Sequence, residues 1–355
     1  MARGRLVARR RALTMTAATS SGAAGAELHT AAGSRLLDVT DLVVSFPTPD
    51  GLVEAVRGIS FGVARGRTLA IVGESGSGKS VSTQTIVGLT AGARVSGRAR
   101  FDGRDLLTLA AAELRAIRGA QIAMIFQNPL SSLHPHYRVG WQIEEMIRAH
   151  DPVDKRAARA RAIDLLRLVG IPRADRRVDD YPHQFSGGML QRAMIAMAVA
   201  LHPRLLIADE PTTALDVTVQ AQIIELLQRL QSEFGMAIIM ITHDLGVVAG
   251  MADEIIVLYA GRVMEEAPRR PLYYHPHHPY TEGLLASLPR VDTVDDRLTP
   301  IRGQPPSMIA PPSGCPFSPR CDYAMDICAK APPLVPVQGD PAHTSACWLP
   351  PERGA

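Results

Sequence analysis

The eight residues Gly73-Glu74-Ser75-Gly76-Ser77-Gly78-Lys79-Ser80 restrict what this chain can fold into more than any other stretch. They follow the apolar run Leu69-Ala70-Ile71-Val72 and fit the phosphate-binding pattern G-x-x-x-x-G-K-[ST] with no mismatch. Glycines at 73, 76 and 78 let the backbone turn through conformations closed to other residues, so that successive N–H groups along the loop point inward at a polyphosphate. Lys79 supplies a point charge for the outer phosphates, Ser80 a hydroxyl for Mg²⁺, and a helix opening here adds its positive dipole end. The pattern predicts a strand before the loop and a helix after it, which a chance Gly/Ser-rich turn would not need.

Short apolar runs recur downstream at Ile122 to Phe126, Leu205 to Ala208, Met236 to Ile241 and Ile255 to Leu258, and they read as buried parallel strands. Between them Ile223, Leu226, Leu227, Leu230 and Phe234 keep helical spacing, and Gly235 closes that helix. Strands alternating with helices predict an α/β sheet covered on both faces, with ligands at the carboxyl ends of the strands. Leu36 to Phe46 and Val53 to Val63 flank the turn-rich Pro47-Thr48-Pro49-Asp50-Gly51 and read instead as strands of a hairpin-like sheet. From about Trp141 to Asp180 the alternation is interrupted. Lys155 to Val169 is an Ala/Arg/Leu helix there, so an inserted helical subdomain is expected.

The longest apolar run, Ala193 to Leu201, falls far short of the roughly 18 to 20 residues that span a bilayer and reads as a buried helix. Any membrane role therefore comes through a partner. At 355 residues and 46% hydrophobic, the chain can bury a full core and divides into two or three units. Its net charge of +3 argues neither for nucleic acid nor for an acidic partner. The first 35 residues stand apart: Arg3, Arg5, Arg9, Arg10 and Arg11 precede an Ala/Thr/Ser/Gly tract that cannot repay its ordering entropy. It also lacks the apolar core of a secretory signal. We expect a disordered tail over 1–35, or a start placed too early with Met15 as the alternative, rather than a functional basic arm.

Asp209 and Glu210 follow the run at 205–208, where Asp209 can hold a hydrated Mg²⁺ and Glu210 can accept a proton from attacking water. Phe185-Ser186-Gly187-Gly188-Met189 precedes a long helix starting near Leu190, with Ser186 placed to cap it. Small residues at a helix start leave N–H groups facing outward as an anion site. A single molecule has no use for two γ-phosphate sites on different subdomains, but two molecules facing head to tail do. Phe46 is by spacing alone either a core aromatic or a purine-stacking one.

Taken in order, these motifs resemble those of the ATP-binding subunits of ABC transporters, over nearly the whole ordered chain. Gly73 to Ser80 matches the Walker A motif, Glu74, Ser75 and Ser77 included; Leu205 to Asp209 matches Walker B, and Phe185 to Met189 the family signature. Phe185 and Met189 depart from its commonest form, while Ser186, Gly187 and Gly188 keep the atoms that would touch phosphate. The resemblance implies a P-loop NTPase (RecA-like) α/β core with an antiparallel β subdomain, an inserted α-helical subdomain and a small C-terminal extension. The ATPase domain would cover 36–266, with the helical part about 128–195, and the extension 267–355. ATP and Mg²⁺ are the implied cofactors. Gln127 becomes the Q-loop glutamine that senses Mg²⁺ and water and links to the membrane subunit, Ala214-Leu215-Asp216 the D-loop, and Phe46 the adenine-stacking aromatic. His243 becomes the switch histidine that holds the γ-phosphate; read simply as a residue beside Thr242 and Asp244, it could instead cap a helix.

Within the family the chain is most similar to the oligopeptide/dipeptide importer subgroup, which includes nickel importers. Phe126-Gln127-Asn128-Pro129-Leu130-Ser131-Ser132-Leu133-His134-Pro135, Tyr181-Pro182-His183-Gln184 and His278-Pro279-Tyr280-Thr281 carry that similarity, with His134 and Gln184 where the subgroup usually has Asn and Glu. It implies a peptide-importer ATPase at the cytoplasmic face of the cell membrane. Its partners would be a second, different ATPase subunit, two membrane-spanning permease subunits and an extracellular or periplasmic solute-binding protein, with no nucleic acid. An importer for nickel or another solute is the alternative, and a soluble non-transport ABC ATPase a more distant one.

Cys315, Cys321, Cys328 and Cys347 all follow the Pro-rich stretch Gly303 to Pro312. A cytoplasmic chain keeps thiols reduced, so four sulfurs in a small extension with little core point to a metal that fastens it. Soft ligands permit Zn²⁺ or an iron–sulfur cluster, and reduced core thiols are the bland alternative. The paired spacings of a zinc ribbon are absent, and the subgroup resemblance implies a [4Fe–4S] cluster, which is our expectation.

Overall fold

Alternating burial decides the first layer. In β1 (Arg35–Thr48) and β2 (Gly51–Ala64), side chains such as Leu42, Val44, Val56 and Ile59 are buried, and a turn at Pro49-Asp50 joins the strands antiparallel. The structure is a computed structural model that describes residues 35–213, 215–288 and 300–350. Apart from Arg35, the expected tail over 1–35 lies outside the described residues, as does Ala214.

From β3 (Thr68–Val72) the chain passes through the glycine loop into α1 (Lys79–Ile86), then returns to the first layer with β4 (Arg94–Phe101) and β5 (Arg104–Asp105). The result is a four-stranded sheet in the order β2-β1-β4-β5. After α2 (Ala111–Ile117) and β6 (Ile122–Ile125) comes a helical stretch: α3 (Pro129–Ser132), α4 (Val139–Arg148), α5 (Lys155–Leu168), α6 (Ala174–Arg177) and α7 (Gly187–Ala198). Ile143 and Ile147 of α4, Ala158, Ala162 and Leu166 of α5, and Ala193 and Ile195 of α7 make its core. Asp154 starts α5 by accepting the Ala157 N–H at 2.8 Å, so the helix opens at Lys155 as its composition predicts. The Ser186 cap starts α7 at Gly187 rather than near Leu190, which places both signature glycines inside the first turn.

Next follow β7 (Leu205–Asp209), α8 (Val217–Phe234), β8 (Ala237–Thr242), α9 (Leu245–Ala249) and β9 (Glu254–Tyr259). All four predicted apolar runs are strands of one sheet, together with β3, and the pairs β6–β7, β7–β8, β8–β3 and β3–β9 are parallel. Leu205, Leu206 and Ile207 are wholly buried, and each such side chain contributes about 1.5–3 kcal/mol relative to exposure. The α8 helix runs from its Asp216 cap to Gly235 at φ 63°, burying Ile223, Leu226, Leu227 and Leu230. Because the five parallel strands point the same way, their carboxyl ends share one edge.

One feature of the sheet has no counterpart in the sequence reading. β10 (Arg262–Pro268) turns back antiparallel on β9, and after α10 (Arg269–Tyr274) and α11 (Pro279–Ala286) the strands β11 (Val335–Val337) and β12 (Asp340–Ser345) join its free edge. The eight-stranded order is β11-β12-β10-β9-β3-β8-β7-β6. Residues 303–312 cross over β2, where Glu54 N–H donates to Met308 O at 2.8 Å and Arg57 Nη2 to Pro312 O at 3.1 Å. No helix among the described residues is long and apolar enough to cross a membrane.

Candidate active site

The shared carboxyl edge gathers the polar residues that the sequence singles out. The loop after β3 needs its glycines: Gly73 has φ 149° and a Cβ there would lie 2.1 Å from Leu258 O, while Gly78 has φ 99° and its Cβ would lie 2.4 Å from Ala55 O. Lys79 Nζ donates to Gly73 O at 2.7 Å and Glu74 O at 2.8 Å, so the lysine ties the two ends of the loop together. Burial pushes its ammonium below the usual lysine range, against the pull of Glu210, Asp209 and Glu74. Ser77 Oγ is buried without a partner. An orphaned hydroxyl and a desolvated ammonium within one glycine-rich loop fit a polyphosphate.

The carboxyl end of β7 supplies the acids. Ser80 Oγ donates to Asp209 Oδ1 at 2.7 Å and Gln84 Nε2 to Oδ2 at 3.4 Å. Asp209 is 2% exposed, and burial raises its pKa, with the nearby Glu210 charge adding to the effect. A dehydrated carboxylate paired with a hydroxyl is a hard-oxygen donor set that suits Mg²⁺. Glu210 sits at φ 47°, a conformation rare for a non-glycine residue, with its N–H on Ile241 O at 2.9 Å and its carbonyl accepting from Thr213 N–H at 3.2 Å. This bend lets three groups converge on one carboxylate. Gln127 Nε2 and Thr213 Oγ1 each donate to Oε2 at 2.8 Å, and His243 Nδ1 stands 3.5 Å from Oε1. Burial alone would raise Glu210, but the Thr213 bond and the His243 and Lys79 charges outweigh it and hold the group below the usual range. Glu210 therefore stays an acceptor, as a base must.

Residues 73–80, Gln127, Asp209, Glu210 and His243 thus share the edge. His243 does not cap the helix that follows it, because Asp244 does, accepting from Gly246 N–H at 2.8 Å, and the His243 side chain is left 58% exposed. Phe46 is half-buried against the core beneath β1. Ser186 Oγ accepts from Met189 N–H at 3.4 Å, and Ser186 and Gly187 are exposed at the start of α7. Among the described residues no hydrogen bond joins this loop to 73–80. Thr213 was missed by sequence reasoning, although a hydroxyl three residues past a carboxylate is a local signal. Glu74 is engaged by Tyr280 and Arg320, partners far off in sequence that no local signal announces.

The expected [4Fe–4S] cluster is corrected by the structure, and so is its Zn²⁺ alternative. Among the described residues no group of three or more His, Cys, Asp or Glu could hold a metal ion, and Cys315, Cys321, Cys328 and Cys347 form no disulfide. Burial pushes the Cys315 thiol up and Cys347 up to about 11. The segment is fastened by other means. Cys315 N–H donates to Cys328 O at 2.9 Å, and Phe317 packs between Tyr259, Tyr280 and His278.

Comparison with known proteins agrees with this geometry. Residues 56–213 match the ABC transporter family model, and 264–328 match that of the oligopeptide/dipeptide transporter C-terminal region. The chain is 51% identical over 319 residues to the oligopeptide transport ATP-binding protein OppD of Haemophilus influenzae, covering 90% of this chain and 98% of that protein. It is 50% identical over 322 residues to the dipeptide transport ATP-binding protein DppD of Bacillus subtilis, covering 90% and 96%. Among solved structures, an ATP-binding cassette seen as a post-hydrolysis dimer with ADP and Pi overlays with a TM-score of 0.60 at 28% identity, covering 66% of this chain and 99% of the cassette. Half of the residues are shared over nine-tenths of the length, so the chain belongs to the ABC transporter family as an ATP-binding subunit of its oligopeptide/dipeptide branch.

Proposed function

We propose that this ATPase powers the import of oligopeptides or dipeptides from the cytoplasmic face of the cell membrane. The assembly would hold two membrane-spanning permease subunits, a second and different ATPase subunit, and an extracellular or periplasmic solute-binding protein. Relatives named for oligopeptide and dipeptide transport support the solute. We assign 36–266 to the ATPase domain, with its helical part about 128–195, and 267–355 to the extension.

The single observation that carries the chemistry is the convergence of Gln127, Thr213 and His243 on Glu210 beside the Lys79 loop. In this reading the N–H groups of Gly73 to Ser80 and the Lys79 ammonium hold the phosphates of ATP, and Phe46 stacks on adenine. Ser80, Asp209 and Gln127 would hold Mg²⁺, which supplies charge neutralisation on the outer phosphates. Glu210 orients water and takes its proton, while His243 holds the γ-phosphate. Ser186, Gly187 and Gly188 of the partner subunit would close on the same nucleotide, so ATP favours the closed pair and hydrolysis releases it.

The test is the assembled transporter in vesicles, with peptide and solute-binding protein supplied. Lys79→Ala is expected to weaken ATP binding by about 100-fold, whereas Glu210→Gln keeps binding and lowers turnover by about 100-fold or more. Turnover at the wild-type rate in Glu210→Gln removes Glu210 from the base role, and ATPase activity indifferent to peptide removes the solute assignment.

A further inference from the structure

The C-terminal segment grips the phosphate loop at one residue, from two directions. Arg320 Nη1 donates to Glu74 Oε2 at 2.7 Å and Nη2 to Oε1 at 3.0 Å, a two-pronged pair whose arginine side chain is 5% exposed. The arginine is itself held in place. Its Nε donates to Arg302 O at 2.7 Å, its Nη1 also to Tyr259 Oη at 3.1 Å, and its guanidinium lies 5.7 and 5.9 Å from the ring centres of Tyr259 and Phe317. The backbone of Glu74 is held as well, because its N–H donates to the hydroxyl of the fully buried Tyr280 at 2.8 Å. The Glu74 carbonyl in turn accepts from Lys79 Nζ at 2.8 Å. An unbroken line of contacts therefore runs from Arg320 through Glu74 to the lysine.

The electrostatics give this line a purpose. Glu74 places a carboxylate in a loop meant for an anion, and an unpaired negative charge there would repel a polyphosphate. Arg320 both cancels that charge and turns it aside. We propose that Arg320 is a positioning residue of the ATP site, through which the C-terminal segment neutralises Glu74 and keeps the phosphate loop in its binding shape. This rests on the reading of residues 73–80 as the ATP site. The loop meets the phosphates alike in the ground state and the transition state, so the effect falls on affinity rather than on the chemical step.

The experiment uses the full chain assembled with its transporter subunits, reading binding of a fluorescent ATP analogue, KM and kcat for ATP, and melting temperature. Arg320→Gln is expected to weaken nucleotide binding and raise KM by about tenfold, with kcat within about twofold. The decisive variant is the double Glu74→Gln with Arg320→Gln. It removes the unpaired charge, and its KM is expected to return to within about twofold of wild type. A residue that only scaffolds the segment would show losses that add, so an additive double variant overturns the proposal, as does wild-type affinity in Arg320→Gln. If Arg320→Gln does not fold, Arg320→Lys keeps the charge without the fork and is expected to raise KM about threefold; an unchanged KM then overturns the proposal. Lys79→Ala is measured alongside. If it binds the analogue as tightly as wild type, the site reading itself has failed, and that outcome is distinct from the others.

Discussion

The two glycine-bearing loops of this chain, 73–80 and 186–188, are built on the same element, the start of a helix, yet their surroundings are opposite. The first is walled in by backbone. Added methyls at Gly73 and Gly78 would strike Leu258 O and Ala55 O, Gly261 N–H donates to Ser77 O at 3.0 Å, and Glu74 is held by Tyr280 and Arg320. The second is open. Ser186 and Gly187 are exposed, and a methyl on Gly187 would meet only Leu215 Cδ2 at 3.9 Å; Gly188 alone is backed by the chain, with Val219 Cγ1 of α8 2.9 Å from an added Cβ. One loop is finished within the chain, and the other has everything for an anion except a second wall. That asymmetry is what a head-to-tail pair requires, since each nucleotide would be enclosed by the finished loop of one subunit and capped by the open loop of the next.

The largest effect expected from breaking the comparison is at Gly78. Alanine there combines φ 99° with a Cβ 2.4 Å from a backbone oxygen that cannot swing away, so the loop must deform. We expect Gly78→Ala to cost about 3 kcal/mol or more in stability and to abolish measurable ATP binding. Calorimetric titration with ATP and thermal melts check this, and intact affinity would mean the wall at Ala55 yields easily.

Acid should loosen the walled side selectively. His278 Nδ1 accepts from Tyr280 N–H at 3.0 Å, so the ring must be neutral at that nitrogen, and burial pushes its pKa down to about 4 from an ordinary 6.5. The folded pKa lies below the unfolded one. The contribution to stability is therefore whole above about pH 6.5 and is lost as pH falls to about 4, amounting to about 3 kcal/mol. Glu265 lies beside His277, His278 and His343. Burial alone would raise its pKa, but bonds from His343 and the His277 and His278 N–H groups hold it below its usual range, so its share is lost at still lower pH. His278→Asn keeps a cap for α11 but removes the titration. Melting temperatures of the two proteins should converge between pH 6.5 and 4; a constant gap would show that His278 does not titrate in that window.

How much of this was legible in sequence follows from how far apart the partners lie. The parallel strands, the α8 helix and the loop at 73–80 rest on periodicity and spacing within a few residues, and they stand where the pattern places them. The Asp209-Glu210 pair was visible for the same reason. The grip of Arg320 on Glu74 spans 246 positions and the His343–Glu265 pair 78, and neither leaves a local trace. β11 is a short edge strand and β12 the short strand beside it, with Pro336 and Pro341 interrupting any alternation. The cysteines show the opposite failure. Their number and the subgroup resemblance suggested ligands, but neither says how the side chains are arranged, and among the described residues they form no group that could hold a metal ion.

A smaller effect sharpens the open side of the comparison. Ser186 Oγ caps α7, so Ser186→Ala is expected to cost about 1 kcal/mol of stability. In the assembled transporter it should also lower turnover several-fold, while leaving ATP affinity of the single chain unchanged. A parallel fall in single-chain affinity would place Ser186 within its own nucleotide site and end the head-to-tail reading.

The smallest effect on folding is the most telling for function. Gly187 is the first residue of α7, its φ is not left-handed, and the nearest atom to an added Cβ is at ordinary contact distance. Alanine is a better helix former than glycine, so Gly187→Ala should leave the isolated chain as stable as before or raise its stability by about 0.5 kcal/mol. ATP affinity at 73–80 should not move. The added methyl stands on the exposed start of the helix, the surface that a partner's nucleotide would have to approach within hydrogen-bonding distance, and there it stands in the way. Turnover of the assembled transporter is therefore expected to fall, with melting temperature and single-chain affinity held. Turnover unchanged along with both would show that the open loop has no close neighbour in the working complex, and the contrast with the walled loop would then be one of burial alone.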